Sequence, residues 1–540
     1  MEIQTPRSLN LPKKFKFWRD GQLEAIEAIT QSQKPVFLLD SPTGTGKSII
    51  GIGSYSNIAK IQATLEQLKG GEENPRYRCV YVTKTKQLQD QILKEFPMAR
   101  AVKGRRNYPC LLRENDFPDF TAEDCTHNDN QDPHTGVCAA CPYLLAKQEA
   151  LRAPVAVLND AYFLGETSGP GQFSGCSLLV LDEIDSLEGS LMSFIQLSLS
   201  ENQLKRMKLS PPTNLRDAMG WVAWADHAQF EVGRKVESLS RQLVLPVEQW
   251  SDVEITMQKG SKRLENFGKK LATFSELVNN DWVFTFDDSD ESNWKVIFKP
   301  IMVAPYADRY LWRHGDRALG MSGSIFDPKS LAADMGIEEF DYLRLDSPFP
   351  VENRRIYYKP VANVTRKTLW AELPKLNDEI IKILDKHAND RVLIHTVSYK
   401  IRDYLMNHLP QQRLITHTSL DREEMLYIFR HSTEPLVLIS PSFDRGVDLP
   451  QEACRCIIIA KMPYLDLSDR QIKARMELPG GHRWYNLKTA QTLVQMSGRA
   501  VRSKDDHADT YILDKQFTRL LALTQNILPK WWLNAIVRSE

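Results

Sequence analysis

Neither sign of charge prevails in this chain: its 540 residues carry 69 Lys and Arg against 69 Asp and Glu, a formal net charge of zero. That balance excludes a uniformly basic nucleic-acid coat and an acidic disordered tail, and a hydrophobic content of 42% excludes a chain too polar to fold. Long apolar runs are also missing. The richest stretches, residues 176–181 and 456–460, read as short buried strands and fall far below the ~18 apolar residues of a membrane helix, so no membrane contact is expected. Residues 1–16 lack the apolar centre and small-residue cleavage site of a secretory signal, and a cytoplasmic protein is expected. Cysteine is scarce, with eight in all, too few for a disulfide framework. Four of them, Cys110, Cys125, Cys138 and Cys141, nevertheless fall within 32 residues, a clustering that suggests a metal or cluster site. At ~100–200 residues per domain, the length predicts three or four domains.

Against these absences stands one strong local pattern. The apolar run Pro35-Val-Phe-Leu-Leu-Asp40 is followed by Ser41-Pro-Thr-Gly-Thr-Gly-Lys-Ser48 and then by Ile49 and Ile50. Strand, glycine-rich loop and helix come in the order a phosphate-binding loop requires. Thr43, Gly44, Thr45 and Gly46 supply inward backbone N–H groups, Lys47 reaches the outer phosphates of ATP, and the Ser48 hydroxyl can hold Mg²⁺. Ser41 stands where the usual pattern has glycine, which leaves this chemistry intact. A second apolar strand, Ser177-Leu-Leu-Val-Leu181, runs into Asp182-Glu183-Ile184-Asp185, putting carboxylates at the carboxyl edge of a parallel sheet. Asp182 is the expected Mg²⁺ ligand and Glu183 the group that polarises the attacking water. These motifs imply nucleotide hydrolysis without saying what it drives.

The carboxyl-terminal third repeats the strand-and-loop logic without a second phosphate loop. Strands are expected at residues 391–395, 436–439, 455–460 and 510–513, with Ser442-Phe-Asp-Arg-Gly-Val-Asp448 and Gln495-Met-Ser-Gly-Arg-Ala-Val-Arg502 between them. Arg499 and Arg502 lie three apart and, on a helix, share a face. A second α/β domain carrying such arginines can stabilise the phosphate held by the first.

Together these segments resemble superfamily 2 helicases. The phosphate loop, Asp182-Glu183, Met321-Ser-Gly-Ser324, Gly446-Val447-Asp448 and Gln495 to Arg502 are similar to motifs I, II, III, V and VI, and Val82-Thr-Lys-Thr-Lys-Gln-Leu88 to motif Ia. Arg19 and Gln22 resemble the segment that reads adenine. The clustered cysteines, at intervals of 14, 12 and 2 residues between motifs Ia and II, resemble the iron–sulfur domain of the XPD/DinG family, whose four cysteines hold a [4Fe–4S] cluster. Four thiolates could hold zinc instead, with His127 and His134 as further possible ligands, but structural zinc sites favour two close Cys pairs and only Cys138 and Cys141 form one here. Cys79, Cys176, Cys454 and Cys456 are expected in the core.

The resemblance implies an α/β fold of two RecA-like domains, with an iron–sulfur insertion and a mainly helical Arch insertion in the first. The implied partition is residues 1–102 with 156–187 and 313–345 for the first motor domain, 103–155 for the iron–sulfur domain, 188–312 for the Arch and 346–540 for the second motor domain. Residues 214–243 read as helical, and the Arch segment holds six of the eleven tryptophans, expected as core before base-stacking platforms. The expected activity is ATP-dependent, 5′ to 3′ translocation on single-stranded DNA with unwinding of forked duplex, in a repair setting. The enzyme is expected to be a monomer, cytoplasmic or nucleoid-associated, with an unidentified recruiting protein as an optional partner. Two rival expectations stay open: an ATPase switch or translocase that does not unwind, and an RNA helicase. Lys103, Arg105 and Arg106 are candidates for a basic channel lining. With only about 17 residues before Trp18, no exonuclease domain is expected there. Asp185 replaces the family's usual His and Arg445 its usual Glu, departures that bear on coupling between hydrolysis and strand movement.

Overall fold

The structure, a computed structural model, describes residues 5–68, 77–113, 116–125, 139–290, 292–443, 449, 451–498, 500–501 and 503–538. Of the residues singled out above, Cys138, His127, His134, Arg445, Gly446, Val447, Asp448, Arg499 and Arg502 lie outside the described residues.

The chain opens a parallel sheet with β1 (Val36–Asp40), β2 (Cys79–Thr83), β3 (Ala99–Ala101), β4 (Val155–Asn159) and β5 (Leu178–Asp182). It then leaves that sheet for a small antiparallel one made of β6 (Leu197–Ser200), β7 (Trp282–Asp287) and β8 (Lys295–Pro300). It returns with β9 (Ala318–Ser322) and β10 (Phe340–Arg344), giving a seven-stranded order β10-β1-β9-β5-β2-β4-β3. β1 and β2 are buried at every position and read as unbroken apolar runs, because helices cover both faces of such a sheet. The first-sheet core therefore divides in two, one cluster around Leu38, Leu158 and Leu181 and the other around Leu39, Tyr81 and Val180.

A second seven-stranded sheet follows, built from β11 (Ile356–Ala362), β12 (Val392–His395), β13 (Leu414–Thr416), β14 (Val437–Ser440), β15 (Cys456–Ile459), β16 (Asp509–Asp514) and β17 (Ile536–Arg538). Its order is β13-β14-β12-β15-β16-β11-β17, every pair parallel. The strands expected from apolar runs appear as β5, β12, β14, β15 and β16. Two parallel sheets flanked by helices are the architecture of two RecA-like domains. Cys79, Cys176, Cys454 and Cys456 are buried, as expected.

The excursion between β5 and β9 is more than helices. Its two long helices, Ala218–Gln242 and Asp252–Leu277, pack on each other, and the antiparallel sheet completes their core. Ser251 and Glu254 cap the second helix reciprocally, a capping box that satisfies two orphan N–H groups. Trp221, Trp224 and Trp250 are buried, and Trp282 and Trp294 pack on the same core as Trp221 and Phe298. Trp221 and Trp224 donate their indole N–H to backbone carbonyls of Leu215 and Ser210 at 2.7 and 2.6 Å, the requirement for burying an indole. The tryptophans are framework, as their sequence reading favoured.

The cysteine-bearing segment between β3 and β4 docks on this helical insertion. Arg113 donates to the carbonyls of Glu248 and Trp250 at 2.7 Å each, Phe120 meets Trp250 edge-on at 6.2 Å, and Lys259 pairs with Asp119 at 2.6 Å. Two insertions that leave the first sheet separately thus meet each other.

Candidate active site

The carboxyl ends of β1, β5 and β9 gather the nucleotide-site residues. β1 feeds the loop 41–46 into the helix Lys47–Leu68. Gly44 and Gly46 have φ of +91° and +83°, the left-handed region that glycine enters without strain. Gly44 also has a steric reason: a Cβ there would sit 2.1 Å from Phe349 Cζ. Inside the loop Thr45 Oγ1 donates to the Pro42 carbonyl at 2.7 Å, and the Ser41 N–H bonds the Ser322 carbonyl of β9 at 2.7 Å.

Arg19 and Gln22 hold this loop from outside. Gln22, buried, donates Nε2 to the Thr45 carbonyl at 2.7 Å and accepts from the Arg19 N–H at 3.0 Å, while Arg19 Nη1 reaches the Gly44 carbonyl at 3.1 Å. In this state the two side chains brace the backbone that would cradle phosphates.

Lys47 Nζ and Glu183 Oε1 stand 3.1 Å apart, so the loop lysine and the second acid of β5 are ion-paired. Glu183 itself is left-handed at φ 56°, an unusual conformation for a non-glycine residue that here caps the turn leaving β5. Burial pushes the Asp182 carboxyl up to about 6, with Lys47 opposing and Glu183 adding to the shift. Tyr81, on the neighbouring β2, donates its hydroxyl to Asp182 Oδ2 at 3.2 Å and also interacts with Ser48. It therefore ties together the two side chains whose oxygens suit Mg²⁺. Hydroxyl and carboxylate oxygens fit a magnesium ion, which binds few protein oxygens directly. Tyr81 was missed from sequence because a tyrosine inside Cys-Val-Tyr-Val-Thr reads as ordinary strand core.

One contact with the second domain runs through Asp185. This buried carboxylate accepts from Ser322 Oγ at 2.6 Å, Ser324 Oγ at 3.1 Å and Gln495 Nε2 at 2.7 Å. Gln495 also reaches Ser324 Oγ at 3.0 Å, and Gln491 Nε2 donates to the Ser324 carbonyl at 2.8 Å. Motifs II and III of the first domain and the helix Gly481–Ser497 of the second are thus one hydrogen-bonded unit. Asp185, flagged above only as a departure, is its hub. Gln495, the first residue of the motif VI segment, is placed by these bonds on Asp185.

The cysteine segment has its own geometry. Cys110 is buried and Cys125 and Cys141 are half-buried, and none forms a disulfide with a described residue. Tyr108 packs edge-on against Tyr143 at 5.7 Å, which draws together the turns holding Cys110 and Cys141. Cys141 immediately precedes the helix Pro142–Arg152. The donor chemistry therefore fits a thiolate-held metal group, although among the described residues no three ligands converge to hold one. Lys103 pairs with Asp90 at 2.8 Å, Arg106 pairs with Glu123, and Arg105 stacks on Tyr143 at 4.7 Å. All three candidate channel cations are engaged locally.

Comparison with known proteins adds independent findings. The DEAD/DEAH box helicase family model matches residues 19–214, and the helicase C-terminal domain model matches residues 380–535. The chain is 23% identical to the ATP-dependent DNA helicase DinG of Photobacterium profundum over 52% of this chain and 46% of that protein. It is 21% identical to the ATP-dependent DNA helicase YoaA of Escherichia coli over 92% of this chain and 91% of that protein. The match spans less than half of DinG, and likewise of a probable helicase from Methanocaldococcus jannaschii. A solved XPD helicase superposes with a TM-score of 0.62 at 16% identity, covering 96% of this chain and 99% of the other.

Proposed function

We propose that the chain is an ATP-dependent helicase of the XPD/DinG-like superfamily 2 kind, a reading supported by its two helicase-domain matches and its helicase relatives, and that it translocates 5′ to 3′ on single-stranded DNA and unwinds forked duplex. The observation that carries the reading is the Asp185 hub, because it joins the nucleotide-binding acids to the second motor domain in one unit. Such a link lets a change at the phosphate site alter how the two domains sit, the requirement for a motor. The DNA preference is supported by relatives whose names describe DNA helicases.

In the proposed cycle the backbone N–H groups of Thr43 to Gly46 and Lys47 bind the ATP phosphates, with Ser48 and Asp182 as the magnesium ligands. Magnesium, when bound, neutralises charge developing between the outer phosphates. Lys47 must release Glu183 to reach phosphate, and Glu183 is then available to orient the attacking water. Arg499 and Arg502 complete the phosphate site from the second domain, and Gly446 and Asp448 approach it from motif V. Gln495, held by Asp185, senses whether the cleft is closed. Arg19 and Gln22 brace the loop and contact the adenine.

Cys110, Cys125, Cys138 and Cys141 are proposed to hold a [4Fe–4S] cluster, which would staple the segment between β3 and β4. The contact between the two insertions supports their enclosing the translocating strand, with Lys103, Arg105 and Arg106 exchanging their present partners for phosphates. Steady-state hydrolysis with single-stranded DNA and single-stranded RNA of one sequence tests the substrate class. Stimulation by DNA well above that by RNA is expected, and the reverse order would overturn the DNA assignment.

A further inference from the structure

The helix Gly481–Ser497 is buried along nearly its whole length, yet one of its faces is polar. Lys488, Gln491 and Gln495 recur at intervals of three and four, so they line up on one side. That side meets the first domain at successive points. Gln495 reaches Asp185 at 2.7 Å and Gln491 the Ser324 carbonyl at 2.8 Å. Lys488 Nζ lies 2.8 Å from Glu188 Oε2 and 3.8 Å from Asp334 Oδ2.

Glu188 stands in the helix Leu187–Ile195, directly after motif II, and Asp334 ends the helix Pro328–Asp334, after motif III. Arg475, from the helix Arg470–Glu477, closes the group by pairing with Asp334 and stacking on Trp484 at 5.5 Å. All four charged side chains are buried, each at most 9% exposed. Two acids from one domain thus meet two bases from the other, and the ion pairs between them cross the domain boundary. Burial lowers the affinity of Lys488 for its proton, but Glu188 and Asp334 more than restore it, so the ammonium is retained.

Buried ion pairs contribute little net stability compared with apolar packing, whereas removing one partner is costly. Their attested use is to specify one geometry over others. Here the geometry specified is the seating of the helix whose far end carries Gln495. Seven residues, about two turns or ~10 Å of helix, separate the two contacts.

We propose that Lys488, anchored by Glu188 and Asp334, is a positioning residue for nucleic-acid-stimulated hydrolysis: it sets the helix Gly481–Ser497 on the first domain so that Gln495 meets Asp185. The inference rests on the two-domain motor reading. The ion pairs of Lys488 lie at Glu188 and Asp334, outside the phosphate loop, so it acts on turnover through Gln495 and leaves ATP capture to the first domain.

The test compares wild type, Lys488→Met, Lys488→Arg, Gln495→Ala and the double variant K488M/Q495A in stimulated ATP hydrolysis, with thermal melting as a folding control. Lys488→Met is expected to lower kcat tenfold or more while ATP KM stays within about threefold, and Lys488→Arg to recover most of the rate. Because Lys488 works through Gln495, the double variant should be no slower than Gln495→Ala alone. Unchanged turnover in Lys488→Met, or effects that multiply in the double variant, would overturn the proposal. Should Lys488→Met fail to fold, Glu188→Gln carries the same expectations and the same refuting outcomes. Wild-type protein that does not hydrolyse ATP would instead overturn the motor reading.

Discussion

The bond between Asp185 and Gln495 is the most direct place to perturb the link between the two domains. Asp185 accepts hydrogen bonds from Ser322 and Ser324 of its own domain, and the 2.7 Å bond from Gln495 crosses to the other. A hydrogen bond to a charged acceptor contributes about 1.5–3 kcal/mol. If that energy is felt chiefly in the closed, hydrolysing state, its loss slows turnover about ten- to hundredfold. Gln495→Ala should therefore cut stimulated kcat by that factor with ATP KM little changed, since the phosphate loop is untouched. Asp185→Ala should do the same and also lose about 1–3 kcal/mol of stability, because two buried hydroxyls are stranded. The double variant separates the terms: kcat of D185A/Q495A should match Asp185→Ala, giving a coupling energy of about 1.5–3 kcal/mol. Effects that add to within about 0.5 kcal/mol would show that the bond carries no coupling and refute the reasoning.

Other consequences are equally specific. Gly44→Ala places a Cβ 2.1 Å from the Phe349 ring at a φ of +91°, so urea unfolding should reveal a loss of about 2–5 kcal/mol from strain and overpacking together; a loss below about 1 kcal/mol would contradict the geometry. Burial, and then the charge of Glu188, push the Asp334 carboxyl up to about 7 against the opposing Lys488 and Arg475. A raised carboxyl contributes stability that is complete below the unfolded value of about 3.9 and is lost as pH rises through about 7. Asp334→Asn should accordingly flatten the decline of Tm between pH 5 and 8, and parallel wild-type and variant curves would count against it. Protein purified without oxygen should contain about four irons per chain, whereas zinc without iron would favour a structural zinc site.

What was legible in the sequence was what is contiguous along it. The phosphate loop lies within eight residues, and Asp182 and Glu183 follow their strand directly, so strand, loop and helix chemistry could be read in place. The buried parallel strands announced themselves as apolar runs because both their faces are covered. Relationships across the chain were not legible. Asp185 and Gln495 are 310 positions apart, and nothing local marks Lys488 as the partner of Glu188. Tyr81 is silent for a different reason, since its hydroxyl matters only once β2 lies beside β5. The antiparallel sheet escaped notice because β6 is separated from β7 and β8 by two long helices, so its pairing is non-local and its strands are short. The tryptophans, by contrast, follow from size: a large indole with an accessible carbonyl is most economically buried.

The central claim is that hydrolysis at Lys47, Asp182 and Glu183 drives directional movement through the Asp185 link. Strand displacement on matched duplexes with a 5′ or a 3′ single-stranded DNA tail, with ATP and magnesium, tests it most directly. Displacement of the 5′-tailed duplex is expected, with little of the 3′-tailed one and none of either by Lys47→Ala. Displacement from the 3′ tail, displacement that survives Lys47→Ala, or brisk hydrolysis that displaces neither duplex would contradict it.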